Sequence, residues 1–174
     1  MTGFRIVRIV GESRSFIADN ILAGTNAGLS NQGRVFLKAL ADKGVTIDLA
    51  YTTPASFYEA LSLLSRPVIC SGVSVKALYP HPVNLSDDQI RAVADQGGVI
   101  CVSANPEMNW NGKDLPTIDK YVDAIAYIKE TVGIDSVAIG TGLYAQPGGQ
   151  ERHAALSVLE GLSGKQYPAD YGSP

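Results

Sequence analysis

Val45-Thr-Ile-Asp-Leu-Ala-Tyr51 and Arg66-Pro-Val-Ile-Cys-Ser-Gly72, with a helix-like stretch between them, decide the fold of this chain. Both segments are short and apolar on successive residues rather than alternate ones, the pattern of strands covered on both faces. The stretch between them, residues 55–64, follows Pro54, whose fixed φ suits a first helical turn. Strand, helix and strand in this order make a parallel unit, because parallel strands need a long crossover.

The alternation continues in both directions. Strands are expected over residues 4–10, 45–50, 67–71, 99–103 and 136–139, and helices over 32–42, 55–64, 87–96 and 118–132. Ser86 stands before Asp87 and Asp88 as an N-cap, and Gly44, Gly97 and Gly133 follow helices where a left-handed residue closes the last turn. The reading is an α/β fold with about five parallel strands. A further helix is expected over 149–161, and 163–174 has turn formers without an apolar period. The expected organisation is one domain, residues 1–162, followed by an irregular tail. No repeat of 20 to 50 residues runs through the chain.

Composition excludes several functions. At 174 residues and 45% hydrophobic content the chain can bury one substantial core. Its fourteen basic residues are scattered and its net charge is -3, so it lacks the clustered charge that nucleic acid requires. No apolar run approaches the roughly 20 residues needed to span a bilayer, and the N-terminus has no secretion-signal pattern, so a cytoplasmic location is expected. Cys70 and Cys101 lie in apolar runs and read as buried, reduced thiols.

The two opening segments, with Ala18-Asp19-Asn20, Gly28-Leu-Ser-Asn-Gln-Gly33, Val83-Asn-Leu-Ser-Asp-Asp88, Gly97-Gly-Val-Ile100 and Val132-Gly-Ile-Asp-Ser-Val-Ala-Ile-Gly140, resemble the membrane (renal) dipeptidase family of zinc metallopeptidases. The resemblance lies in the common order and spacing of the blocks, since each alone occurs in many buried strands. It implies a partial (β/α)8 (TIM-type) barrel, because such a barrel needs eight strands and about 250 residues. It also implies zinc ligands at the histidines that end the family's first two blocks, where this chain has Tyr51 and Gly72. The family's substrate-contacting histidine corresponds to Gly11, its carboxylate-holding arginine to Val83 and its catalytic aspartate to Gly142. The family's first-strand His-x-Asp pair and third-strand glutamate have no counterpart among these blocks.

Other chemistry finds little support. The two histidines, His81 and His153, lie outside any ligand motif and read as surface or structural residues. Ser71-Gly-Val-Ser74 has its glycine in the wrong place for a nucleophile elbow. Gly140-Thr-Gly142 and Gly148-Gly149 lack a phosphate-loop pattern. The loop Asn105-Pro-Glu-Met-Asn-Trp-Asn-Gly112 follows the fourth strand and carries the only tryptophan, Trp110, either as a recognition element or folded back on its own domain.

Two readings follow. In the first, the chain is a noncatalytic membrane-dipeptidase-like protein or subunit, without catalytic or metal residues or a cofactor, that binds a partner chain or a small ligand. Candidate ligand-binding residues are then Tyr51, Ser71, Ser74, Asn84, Trp110 and Tyr144. Open sheet edges would favour an oligomer, or a companion chain supplying the missing strands. In the second, it is a diverged metallodipeptidase that uses zinc, with further ligands supplied by a companion chain.

Overall fold

A computed structural model describes residues 3–11, 15–114 and 116–140. The helix expected over 149–161, the tail over 163–174, and Gly142, Tyr144 and His153 lie outside the described residues.

Five strands form one parallel sheet: β1 (Ile6–Arg8), β2 (Thr46–Asp48), β3 (Ile69–Val73), β4 (Val99–Ser103) and β5 (Val137–Gly140). Their spatial order is β1-β2-β3-β4-β5, the same as their order in the chain. Right-handed crossovers that always step in one direction lay their helices on one face of the sheet, which is how a barrel wall is wound; a doubly wound sheet reverses direction. The crossovers carry α1 (Asn31–Asp42), α2 (Pro54–Leu63), α3 (Asp87–Asp95) and α4 (Ile118–Val132). No helix among the described residues is long and apolar enough to cross a membrane.

Local chemistry sets the helix starts. Ser30 Oγ accepts the Gly33 amide and donates to the Phe16 carbonyl, so it caps α1 and ties it to the preceding loop. Thr53 caps α2 with Pro54 in the first turn. At α3, Ser86 and Gln89 form a reciprocal capping box. Gly33 allows α1 to lie against the loop backbone, since a Cβ there would sit 2.2 Å from the Ile17 carbonyl oxygen.

The core lies between sheet and helices. Ile47, Cys70, Ile100 and Val102 on the sheet meet Leu37, Phe57, Ile90, Val93, Tyr121 and Ile128 from the helices, all at most 2% exposed. Coverage on both faces holds less well than the apolar runs imply. In β1 the pattern is exposed, half-buried, exposed, and Phe4 and Ile6 are 72% and 54% exposed. With β2 as its one neighbour in this sheet, β1 is an edge, and it is three residues long instead of seven. Cys101 is likewise only partly buried, because it shares the face of Ser71, opposite the helix-covered Ile100 and Val102. β3 runs two residues past its expected end: Gly72, at φ 66°, makes an irregular step in the pairing with β4, and Val73 re-enters the ladder opposite Val102.

Candidate functional site at the strand ends

The carboxyl ends of parallel strands are where barrels and open α/β sheets bind ligands. At the ends of β1, β2 and β3 this chain gathers Arg8, Asp48, Tyr51, Ser71 and Gly72. The register pairs Arg8 with Asp48, so both side chains leave the same face of the sheet.

Asp48 is the centre of the cluster, with its side chain 5% exposed. One carboxylate oxygen, Oδ1, accepts the amides of Ala50 and Ser71, each at 3.0 Å. The other, Oδ2, accepts Arg8 Nε at 3.1 Å and the Ser71 hydroxyl. Four hydrogen bonds match the four lone-pair directions of a carboxylate. Arg8 also donates from Nη2 to Ser71 Oγ at 2.8 Å, and its guanidinium lies 5.3 Å from the centre of the Tyr51 ring, within cation–π range.

The backbone around this cluster is unusual. Among the described residues Tyr51 is the only non-glycine with positive φ, at 67°. A left-handed bulky residue is strained, and such residues collect at functional sites. Gly72 has φ 66°, and a Cβ built on it would lie 3.9 Å from Arg8 Nη2.

A second polar cluster supports the loops after β3 and β4. Asn84, 2% exposed, accepts the Ser74 amide at 2.9 Å and donates to the carbonyls of Tyr79 and Met108 at 2.9 and 2.8 Å. Ser74 donates its hydroxyl to Asn109 Oδ1 at 2.9 Å, and Asn109 donates in turn to the Ser103 and Asn105 carbonyls. Tyr79 closes the same region by donating to the Lys120 carbonyl at 2.7 Å; burial, with Asp123 nearby, pushes its phenol up to about 12.

The sequence candidates therefore separate. Tyr51 and Ser71 meet in one cluster around Arg8 and Asp48. Ser74 and Asn84 sit in the other with their polar groups engaged by the protein. Trp110, just after the short 3-10 turn Pro106–Asn109, is 52% exposed and stands outside the core. Its neighbours Met108 and Asn109 are the buried members of that turn. His81 is half-buried, its Nδ1 accepts the Val83 amide at 3.3 Å, and burial holds its pKa below the usual range. Arg8 was missed by sequence reasoning. Its signal was a charge in the middle of an otherwise apolar run, Ile6-Val-Arg-Ile-Val10, one βα step before Asp48, with no evident reason to be there unless it meets a carboxylate.

Cys70 and Cys101 flank the first cluster. Burial, followed by the negative charge of Asp48, pushes both thiols up, Cys70 the further. Both shifts disfavour the thiolate, the form in which a cysteine acts as a nucleophile.

A singly wound parallel sheet with a polar cluster at its strand ends defines a (β/α)-barrel protein. The sequence profile of the membrane dipeptidase family (Peptidase family M19) matches residues 1–156, and the chain belongs to that family. An uncharacterized dipeptidase of Schizosaccharomyces pombe is 32% identical over 133 residues, which are 75% of this chain and 32% of the yeast protein. Among solved structures, an amidohydrolase from Pseudomonas aeruginosa superposes with a TM-score of 0.74 at 27% identity, covering 87% of this chain and 45% of that one. The probable dipeptidase PvdM from the same organism superposes at 0.77 and 21% identity, covering 96% and 58%. The described sheet is thus part of a barrel, and the chain spans about a third to three-fifths of the length of these relatives.

Zinc, which the family resemblance implies, does not fit the residues gathered here. The Asp48 carboxylate has its acceptor directions filled by protein donors, Gly72 has no side chain, and a tyrosine such as Tyr51 offers a phenol oxygen and no ligating nitrogen. Among the described residues no group of three or more His, Cys, Asp or Glu could hold a metal ion.

Proposed function

We propose that this chain is a noncatalytic member of the membrane dipeptidase family that binds a partner chain or a small ligand at the strand-end face of its partial barrel. The observation that carries the reading is the closed cluster of Arg8, Asp48, Ser71 and Tyr51. A dipeptidase of this family would present histidine ligands at two of these strand ends, and here an internal ion pair takes up the carboxylate. Zinc-activated water, a carboxylate-holding arginine and a catalytic aspartate are the groups the family resemblance implies. Loss of one such group typically costs about a hundredfold or more in rate.

The test is hydrolysis of unblocked L,L and L,D dipeptides by the purified chain with zinc, manganese or cobalt. The expected result is no turnover above background. Family membership and the names of the relatives favour the competing reading, a diverged metallodipeptidase. Metal-dependent turnover, abolished by a chelator and altered in Tyr51→Phe, would establish that reading and overturn this one.

A further inference from the structure

The geometry points to Arg8 as the resident cation of the barrel mouth: its guanidinium takes the place and the structural role of a bound metal, and excludes one. The inference rests on the noncatalytic reading only in requiring no metal for folding.

Three observations converge on it. Asp48 is a buried carboxylate at a strand end, and a buried carboxylate needs a positive partner or enough donors to offset its desolvation. Arg8 supplies the charge at 3.1 Å, while Ser71 and two backbone amides fill the remaining directions. A second guanidinium nitrogen reaches Ser71 on the next strand but one, so a single side chain of β1 joins the ends of three strands. A metal shared among strand-end ligands would join them in the same way.

Gly72 supplies the third observation. The one heavy atom within 4 Å of a Cβ placed there is Arg8 Nη2 at 3.9 Å, so a side chain at this position, already disfavoured by the left-handed φ of 66°, would stand in contact with the guanidinium. Tyr51 offers its ring face to the same group. The positions where a ligating histidine is expected are thus occupied by an aromatic face that favours a fixed organic cation and a glycine that leaves room for it. The replacements suit one another: phenol ring, absent side chain and guanidinium form one arrangement, and a metal with its ligands would form another. Both would draw on the same Asp48 carboxylate, whose acceptor directions protein donors already fill.

The experiment has two parts. Thermal unfolding of wild type, Arg8→Lys and Arg8→Gln is followed with and without chelator. The wild-type midpoint should not move with chelator or added zinc. Arg8→Gln should lower it by several degrees and Arg8→Lys by nearly as much, because an ammonium cannot reach Asp48 and Ser71 together while stacking on Tyr51. Unchanged midpoints in both variants would overturn the inference.

The second part separates cation replacement from ordinary packing. Zinc affinity is measured by calorimetry for Y51H/G72H and for R8A/Y51H/G72H, after circular dichroism has confirmed folding. Removing Arg8 should tighten zinc binding about tenfold or more, since it frees both the space and the Asp48 carboxylate. Should the left-handed Gly72 not accept histidine, the same comparison is made between Y51H and R8A/Y51H. Equal zinc affinity with and without Arg8 would overturn the inference and leave the noncatalytic reading intact; dipeptide turnover by the wild type would overturn the latter and leave the role of Arg8 to these two measurements.

Discussion

Asn84 shows how one side chain joins two loops whose sequences say nothing of each other. It accepts the Ser74 amide and donates to two carbonyls, one within its own loop and one after β4. Asn84→Ala should therefore cost about 3 kcal/mol in denaturant unfolding, because three backbone groups lose a buried partner; a loss below about 1 kcal/mol would show that water replaces it. It stands among the candidate ligand-binding residues, and all three of these hydrogen bonds are made to protein backbone. The same scale shows what the sequence conceals. Asp48 and Ser71 could be singled out from their blocks, but their mutual hydrogen bonds depend on a one-residue register between strands, and Arg8 joins them only because β1 pairs with β2 in that register. Pairwise register is a tertiary property. Tyr51 was legible as a substitution; its left-handed backbone was not, since nothing in a tyrosine announces positive φ.

Helices were the most legible elements, and the reason is local: α4 matches its expected bounds, α1 and α3 differ by one residue at one end, and α2 is shifted by one residue at both, because caps and prolines act within a single turn. Strands were legible in number and order but not in extent, since where a strand stops depends on a neighbour elsewhere in the chain. The packing of α1 on α2 yields a prediction of its own. Glu59 on α2 accepts the Leu29 amide at 2.9 Å and pairs with Arg34 on α1. The Leu29 amide first, and Arg34 with it, hold its carboxyl below the usual carboxylate range in spite of some burial. A pKa lowered by folding stabilises the native state above the unfolded value, about 4.3, and that contribution is lost as pH falls through the folded value. Glu59→Gln should cost about 1 kcal/mol at pH 7, a modest figure because solvent screens the pair. Its deficit against wild type should shrink as unfolding is repeated down to about pH 3. A deficit independent of pH would mean that shape, and not charge, joins these helices.

At the scale of the molecule, the sheet has β1 at one edge and β5 at the other among the described residues, with Phe4, Ile6 and Ile139 more than half exposed. Unpaired edges beside apolar surface favour association. Sedimentation velocity over a dilution series should give a mass above that of one 18.4 kDa chain at micromolar concentration; a compact monomer throughout would remove the case for a partner at these edges. The strand order has a separate consequence, in time. Among the described strands, each of β2 to β5 pairs with the one made just before it, so none of these pairings waits for a distant segment to be synthesised. Chain elongation at about 5–20 residues per second delivers each new βα unit within several seconds, far longer than the microseconds in which helices and local loops close. The wall can therefore grow strand by strand from the ribosome, and the Arg8 guanidinium, made first, can complete its contacts at the barrel mouth only when Asp48 and then Ser71 arrive beside it.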